Sequence, residues 1–304
     1  MDLTLLWIPA TVIAAAAQTA RNTMQHRLTD TLGTIGATQV RFLYGLPFSL
    51  VFLVVVLMLG GESLPAFNWR FAAFVAGAAV TQIAATALML ATMQLRSFAL
   101  STVYIKTEPL QVAVFGVVVL GDHLSVWGAC AVIVATTGVV LMSLKGKGAT
   151  LAGSGWRPAL LGIASGAGFA LSSVGFRGAL LSLDSGSFVL RATSTLVAGL
   201  VLQTIILVVW LLVFKRDVLL AILRSWRSSL LAGCVGAVAS QFWYIAFALT
   251  ATVNVRTLGL LEVLFAQVVS RKVFAQTATG RERLGVGLVL VGVVLLLVST
   301  STST

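Results

Sequence analysis

The chain contains little charge, little proline and almost no cysteine. Charged residues make up 10% of its 304 residues, and there are five prolines and two cysteines. The cysteines, Cys130 and Cys234, each lie in an apolar stretch, which indicates small core residues and no disulfide framework. By contrast, 59% of the residues are apolar and the mean hydropathy is +1.03, which is more apolar sequence than a soluble core requires. The sequence therefore predicts a polytopic membrane protein.

The sequence also lacks the motifs of catalysis and nucleotide binding. It contains no Walker loop, no dinucleotide fingerprint and no metal-ligand spacing. Its two histidines, His26 and His123, are isolated near segment ends, so they indicate neither a metal site nor a catalytic dyad. The net charge of +11 does not require nucleic acid, because the basic residues cluster at the ends of apolar segments, where they set membrane orientation. We expect no enzyme activity, no cofactor, no metal and no nucleic-acid partner.

Ten apolar segments are each long enough to span a membrane as a helix of about 20 residues. They cover residues 3–26, 35–60, 69–93, 97–120, 124–144, 157–181, 186–213, 227–250, 254–274 and 283–300. The first segment has no basic n-region and no clear cleavage site, so we expect it to remain as a helix. Residues 146–156 are rich in glycine and predict a linker. The predicted fold is an all-α integral membrane protein with ten transmembrane helices.

The two halves of the chain repeat the same features in the same order. The matches are Gly36 and Arg41 with Gly186 and Arg191, Arg27 with Arg177, Trp69-Arg70 with Trp226-Arg227, Glu108 with Glu262, and Gly138 with Gly292. The two glutamates lie 154 residues apart, which is half of the chain. Because each half has five segments, an odd number, the second half must be inverted in the membrane relative to the first. Residues 1–145 and 157–300 are therefore predicted to form two inverted five-helix repeats.

The repeated features are shared with one known family of membrane proteins. They are the ten helices in two repeats, Arg41 and Arg191 near the start of the second helix of each half, Glu108-Pro109 in the fourth helix, and the glycines of each last helix. Over nearly the whole chain they resemble the EamA-type drug/metabolite transporter superfamily. The second half departs from the pattern, because valine follows Glu262. A proline kink is therefore predicted in the fourth helix only.

The resemblance implies a secondary transporter that moves a small organic solute, such as an amino acid or an amphiphilic metabolite or drug, by alternating access. Export or exchange is the expected mode, with proton coupling as an option. The alternatives are uptake by a carrier of the same family, and a channel or a non-transporting membrane scaffold. The compact chain with short loops favours a bacterial cytoplasmic (inner) membrane. The expected partners are the solute, protons and membrane lipids.

Two glutamates near the middle of apolar segments are the sharpest candidates for a functional site. An ionised group at that depth costs about 2.5–3.5 kcal/mol on insertion scales, so Glu108 and Glu262 each need a partner, a cavity or a function. Either glutamate could bind a cationic group of the solute or carry a proton. The structural alternative is a neutralised pair, in which Lys106 is the partner of one glutamate.

Polar neighbours of the two glutamates extend the predicted solute-binding site. Tyr104, Glu108 and Gln111 are spaced to share one helix face, which would form a cavity wall. Lys106 lies about 200° around the helix from Glu108, so it would point to a neighbouring helix and there meet Glu262 or an anion. Further candidates for the cavity are Gln18, Gln82, Gln241, Trp243 and Tyr244. Interhelical hydrogen bonds and ordinary packing are the alternative for this last group.

Expected roles differ among three arginines of the first, second and seventh segments. Arg41 and Arg191 lie one to two turns into their helices, where a long side chain can reach the membrane surface and tether a loop or a lipid phosphate. Arg21 shares a face with Gln18 by i, i+3 spacing and could line a vestibule.

Apart from Arg41, Lys106 and Arg191, the basic residues are distributed unequally between the two sides of the membrane. The odd-numbered connections with their helix ends hold 14 of them, and the even-numbered side holds 3. The positive-inside rule therefore places both termini outside the cytoplasm, whereas members of the resembled family usually keep both termini inside. Glycines of the fifth and tenth helices also suggest a seam for a homodimer. These are Gly128, Gly138, Gly285 and Gly292.

Overall fold

The computed structural model describes residues 3–95, 104–143, 156–265 and 280–301, which form an all-α protein. In chain order the α-helices are α1 (Trp7–Leu43), α2 (Leu46–Gly60), α3 (Trp69–Leu95), α4 (Glu108–Phe115), α5 (Val126–Ser143), α6 (Trp156–Leu181), α7 (Phe188–Phe214), α8 (Arg216–Arg224), α9 (Trp226–Leu249), α10 (Thr252–Leu258) and α11 (Gly280–Ser301). A 3-10 helix precedes α1, and a π-helix at Gly116–Leu120 extends α4. Parts of the predicted fourth and ninth segments and most of the predicted linker lie outside the described residues.

Apolar helices long enough to cross a membrane dominate the described residues. Five stretches qualify by length and hydropathy, namely Trp7–Gly60, Trp69–Leu95, Arg157–Leu181, Phe188–Phe214 and Trp226–Leu249. Shorter apolar helices cover Glu108–Leu120, Val126–Leu141 and Arg283–Ser299. On α2, large apolar side chains such as Val51, Met58 and Leu59 are exposed. An apolar surface of this kind is expected of a helix that faces lipid.

The first of these stretches folds back on itself at Gly33. This glycine has φ 66° and ψ 176°, a conformation that interrupts α1 and that a residue without Cβ adopts easily. Gln25 Nε2 donates to the Ala37 carbonyl oxygen at 2.8 Å. In a continuous helix these two residues would be about 18 Å apart along the axis, so the chain must reverse between them. The stretch therefore contributes two helices, in agreement with the predicted first and second segments.

Both helices that carry the candidate glutamates are interrupted just before the glutamate. A turn at residues 106–107 precedes α4, and a turn at residues 259–260 separates α10 from the helical residues 261–265. This corrects the expectation of a kink in the first half only, because the second half is interrupted without a proline. Gly259 stands at that turn beneath an indole ring, and a Cβ added there would lie 2.6 Å from Trp243 Cη2. Interrupted helices of this kind bring polar backbone groups to the centre of a membrane bundle.

Three helix pairs make the most extensive contacts, which are α1 with α9, α3 with α6, and α5 with α11. Small residues allow the α5 and α11 backbones to approach closely. A Cβ added at Gly138 would lie 2.7 Å from the Gly285 carbonyl oxygen, and one added at Gly292 would lie 2.7 Å from Ala135 Cβ. Gly138, Gly285 and Gly292 therefore pack between α5 and α11 of one chain, so these three do not form the predicted homodimer seam. An added Cβ at Gly128 meets only residues of the preceding turn, and a homodimer stays a prediction.

A short amphipathic helix in the connection between α7 and α9 was not predicted from the sequence. In α8, Ile222 is fully buried, whereas Leu220 and Leu223 are each 53% exposed. Tyr44 Oη donates to the Ile222 carbonyl oxygen at 3.0 Å and so ties α8 to the end of α1. A search for membrane-length segments misses this helix, because its nine residues are too few to span a bilayer.

Candidate functional site

The two candidate glutamates lie where the halves of the chain meet, and each is paired with a cation from the other half. The Lys106 ammonium contacts the Glu262 carboxylate. Arg256 lies against Glu108, with Nε 3.1 Å from Oε1. Among the described residues Glu108 Oε1 has no hydrogen-bond donor, because the Arg256 Nε–H points to Ser173. Glu108 is 6% exposed and Glu262 is 5% exposed, so both ion pairs are shielded from solvent.

Gln18 connects one of these ion pairs to an aromatic side chain. Its Nε2 donates to Glu262 Oε2 at 3.0 Å, and its Oε1 accepts from Trp243 Nε1 at 2.9 Å. A glutamine amide has both donors and an acceptor, so one side chain satisfies both partners. The structure thus joins residues from α1, α9 and the helical residues 261–265 in one polar network.

Arg256 is the residue of this site that sequence reasoning missed. Its guanidinium carbon lies 4.6 Å from the Trp243 ring centre and 5.3 Å from the Phe247 ring centre, within range of a cation–π interaction. Its Nε and Nη2 both donate to Ser173 Oγ, at 3.0 and 2.6 Å. From its place near a segment end it is one of the three basic residues on the even-numbered side, with Arg70 and Arg177. Its position about two turns before Glu262, inside an apolar segment, was the signal that could have identified it.

A pocket at the centre of the bundle brings half of the predicted site residues together. These are Gln18, Lys106, Glu108, Trp243 and Glu262, and Arg256 and the turn at residues 259–260 complete the wall. The empty space, including the mouth, is about 210 Å³. The enclosed part is about 10 Å³, room for about one water molecule, whereas pockets that hold organic ligands usually measure about 300–1,000 Å³. The pocket is therefore contracted while both ion pairs are closed.

Two of the remaining candidates form hydrogen bonds between helices instead. Gln82 Oε1 accepts from Gln203 Nε2 at 2.8 Å. Gln241 Nε2 donates to Thr193 Oγ1 at 2.8 Å. Both bonds join α7 to a neighbouring helix, which is the structural alternative that the sequence left open.

The other three candidates pack against helices outside the pocket. Tyr104 is buried against α6, and Gln111 lies beside the same helix and donates to Thr107 Oγ1 at 3.2 Å. Of the three residues predicted to form one cavity wall, namely Tyr104, Glu108 and Gln111, only Glu108 lines the pocket. The Tyr244 ring centre is 4.9 Å from that of Phe176 in the hydrophobic core.

Two further arginines are buried near the pocket. Arg41 is 7% exposed, donates from Nη1 to Thr86 Oγ1 at 3.2 Å, and lies 5.4 Å from the Phe42 ring centre. This corrects the expectation that Arg41 tethers a loop or a lipid, because its hydrogen bond is to α3 inside the bundle. Arg21 is 2% exposed and is close enough to Arg41 and Arg256 to interact with them electrostatically.

Apolar helices around a charged pocket, with two interrupted helices at its centre, are a plan found in many secondary membrane transporters. Residues 5–144 match the EamA-like transporter family. The matched residues are 140 of the 304, so this similarity covers somewhat less than half of the chain. Together with the long apolar helices, it indicates a multi-pass membrane transporter rather than an enzyme.

A structural comparison extends the likeness to the whole chain. One chain in a crystal structure described only as "Crystal structure of protein" matches with a TM-score of 0.67, covering 99% of this chain and 99% of that chain. The two sequences are 14% identical, so this likeness shows the fold alone. No curated protein sequence matches this chain.

Proposed function

We propose that this chain is a secondary transporter that carries a small organic solute by alternating access, with the central pocket as the solute site. The observation that carries the proposal is the crosswise pairing of Lys106 with Glu262 and of Arg256 with Glu108. In each pair the cation and the carboxylate come from opposite halves of the chain. The pairs therefore persist only while the two halves stay together at the depth of the pocket.

Buried ion pairs of this kind are suited to switching between conformations. Separating the partners leaves an uncompensated charge, at a cost of about 3–5 kcal/mol, unless something replaces the lost partner. Water, a proton or a charged group of the solute can do so when the pocket opens. A proton taken up by Glu262 would release Lys106, which links the protonation of the site to the position of the halves.

We propose that alternating access occurs by movement between two inverted five-helix repeats. These are residues 1–145 and 157–300, which residues 146–156 join. The helix contacts support it, because α1 packs on α9 as α6 packs on α3. These are the first helix of one half against the third helix of the other, in both directions. The last helices of the two halves, α5 and α11, pack on each other. The two interrupted helices are the fourth of each half.

We propose export or exchange across a bacterial cytoplasmic membrane as the mode of transport. The EamA-like domain supports transport, and the 14 basic residues at the odd-numbered connections support a defined cytoplasmic side. In this orientation the solute would enter from the side that carries the Gly33 reversal.

Reconstituted protein tests the proposed function. Proteoliposomes should take up radiolabelled amino acids with saturation and counterflow, and an imposed pH gradient should drive net accumulation. Glu262→Gln should abolish the pH-driven accumulation and leave counterflow, because glutamine can still accept a hydrogen bond from Gln18 but cannot release a proton. Asp217→Asn, which removes an exposed carboxylate on α8, should change neither rate.

Two outcomes would contradict this function. Conductance without saturation would indicate a channel. Flux no greater than that of empty liposomes would indicate a non-transporting scaffold.

A further inference from the structure

We propose that the solute carries a carboxylate or phosphate group and that Arg21 binds this group. The inference rests on the proposed transport function and names the class of solute. Four basic side chains close to the pocket interact electrostatically with one another, namely Arg21, Arg41, Lys106 and Arg256. Among the described residues, two carboxylates are paired with members of this cluster, namely Glu108 and Glu262. Two of the four positive charges therefore have no counter-charge in the described part of the chain.

Proton transfer within the cluster cannot remove this excess. An arginine side chain stays protonated in proteins. A proton shared between Lys106 and Glu262 leaves that pair neutral overall, wherever the proton resides. The charges without a counter-charge therefore belong to Arg21 and Arg41.

Among the described residues, the other carboxylates are placed elsewhere. Asp122 lies beside Arg177, with Oδ1 3.9 Å from Nε. Glu62 accepts from the Ser187 backbone N–H at 2.6 Å. The remaining described carboxylates, Asp30, Asp184 and Asp217, are exposed.

Arg21 has the unused hydrogen-bonding capacity that an anion requires. Its Nη2 donates to Asn22 Oδ1 at 2.7 Å, but its buried Nε and Nη1 have no hydrogen-bond partner among the described residues. Buried donors without a partner are costly, especially on a charged group. The guanidinium fork matches the two oxygens of a carboxylate or phosphate. Arg41, by contrast, already donates to Thr86.

The surroundings of Arg21 connect it to the pocket. It lies one turn from Gln18 on the same face of α1, and Gln18 lines the pocket. On α9 the facing residue is Gly236, where an added Cβ would lie 3.1 Å from Arg21 Cδ. Glycine therefore leaves room for the arginine stem. A solute held by Arg21 would extend towards Trp243, which offers an aromatic surface for its organic part.

Ligand-dependent thermal stability of the purified protein tests this inference. The probes are phenylacetate and phenyl phosphate, compared with phenylacetamide and phenethylamine, which share the ring but lack the anionic group. The acids should stabilise the wild type more than the amide or the amine does, and the better acid identifies the anionic group. Arg21→Met, which keeps an unbranched side chain beside Gly236, should raise the half-saturating concentration of the better acid by about 10- to 100-fold.

A second readout needs no ligand. Without ligand, Arg21→Met should melt at a higher temperature than the wild type, because it removes a buried charge that repels its neighbours. Arg21→Lys should lack this gain, because it keeps the charge, and should still bind the acid more weakly. Arg27→Met, at an exposed position on the same helix, should behave as the wild type.

Three results would overturn the proposal: stabilisation by the amide or amine equal to that by the acids, no stabilisation by either acid, or unchanged acid binding in Arg21→Met. A lower melting temperature of ligand-free Arg21→Met would also overturn it, since Arg21 would then be structural. Counterflow of another solute would persist in each case, so these results are distinguishable from failure of the transport function.

Discussion

Lys106 and Arg256 each neutralise a carboxylate of the opposite half of the chain. Each of these buried charges is tolerable only together with its partner. The centre of a membrane bundle accepts a neutral ion pair but penalises a lone charge. Gln18 and Ser173 extend the two pairs, because one contacts Glu262 and the other accepts two hydrogen bonds from Arg256. The charges of the site therefore form a connected set, and a change at one residue alters the electrostatic environment of its partner.

Loss of a single partner should be worse than loss of both. Lys106→Met leaves Glu262 without its cation, so we expect a destabilisation of about 3–5 kcal/mol. Lys106→Met combined with Glu262→Gln should recover part of that loss, because no lone charge is left. Chemical unfolding in mixed micelles of the wild type, both single variants and the double variant should give a coupling energy of about 0.5–3 kcal/mol. Strictly additive effects would show that the two side chains do not interact.

The sequence predicted the carboxylates of this site better than its cations. Glu108, Glu262 and Lys106 stand out because ionisable residues are rare inside apolar segments. The direction of Lys106 followed from its angle around the helix. Arg256 was not predicted as a site residue, because an arginine near a segment end usually reaches the membrane surface. Arg21 was placed beside the pocket by its spacing from Gln18, but its unpaired donors depend on three-dimensional neighbours.

Among the helices, the interruption at Gly259 depends on a close contact with an indole ring. The turn there ends α10 and allows Trp243 to lie directly over the backbone. The ring in turn donates to Gln18 and stacks on Arg256. One glycine therefore sets both the end of α10 and the position of the Trp243 ring beside the pocket.

Substitution of this glycine should disturb the pocket. In Gly259→Ala the added Cβ would lie 2.6 Å from Trp243 Cη2 and 3.2 Å from the Val255 carbonyl oxygen, so the ring must move. We expect a loss of about 1–3 kcal/mol in stability and slower counterflow. Gly287→Ala is the matched control, because no described atom lies within 4 Å of its added Cβ. The control should be neutral or gain up to about 1 kcal/mol. Equal thermal unfolding and equal counterflow for both variants would contradict the contact.

Hydropathy predicted which stretches form long helices but not where two of them are interrupted. The Gly33 reversal falls between the predicted first and second segments, where the apolar run is weakened by polar residues. The turn at residues 259–260 has no proline and follows from the contact with Trp243. α8 escaped prediction because nine residues cannot span a bilayer, although its amphipathic pattern is clear in retrospect.

For the molecule as a whole, the unequal distribution of basic residues predicts its orientation in the membrane. The side with 14 basic residues should be cytoplasmic, so both termini should lie outside. Alkaline phosphatase fused after Thr304 should therefore be active, because this enzyme matures only in the periplasm. The same reporter inserted within residues 146–156 should be inactive, since the charge count predicts that this connection is cytoplasmic. The reverse pattern would show that the orientation usual in the resembled family holds here.

The plan of the molecule was more predictable than its packing. Ten segments and the ordered pairs of matching residues predict a duplicated membrane protein. The partners of each helix could not be predicted, because the face that packs on a helix and the face that meets lipid have similar compositions. For this reason the glycines of α5 and α11 suggested a contact between two chains, whereas Gly138, Gly285 and Gly292 pack within one.

The crosswise ion pairs also constrain how the protein is made. During translation the first half leaves the ribosome and enters the membrane before α10 has been synthesised. At that stage Lys106 and Glu108 lie in the membrane without their partners, Glu262 and Arg256. A chain truncated in the linker would keep these charges unmatched. We therefore expect the first half alone to be degraded faster than the full chain.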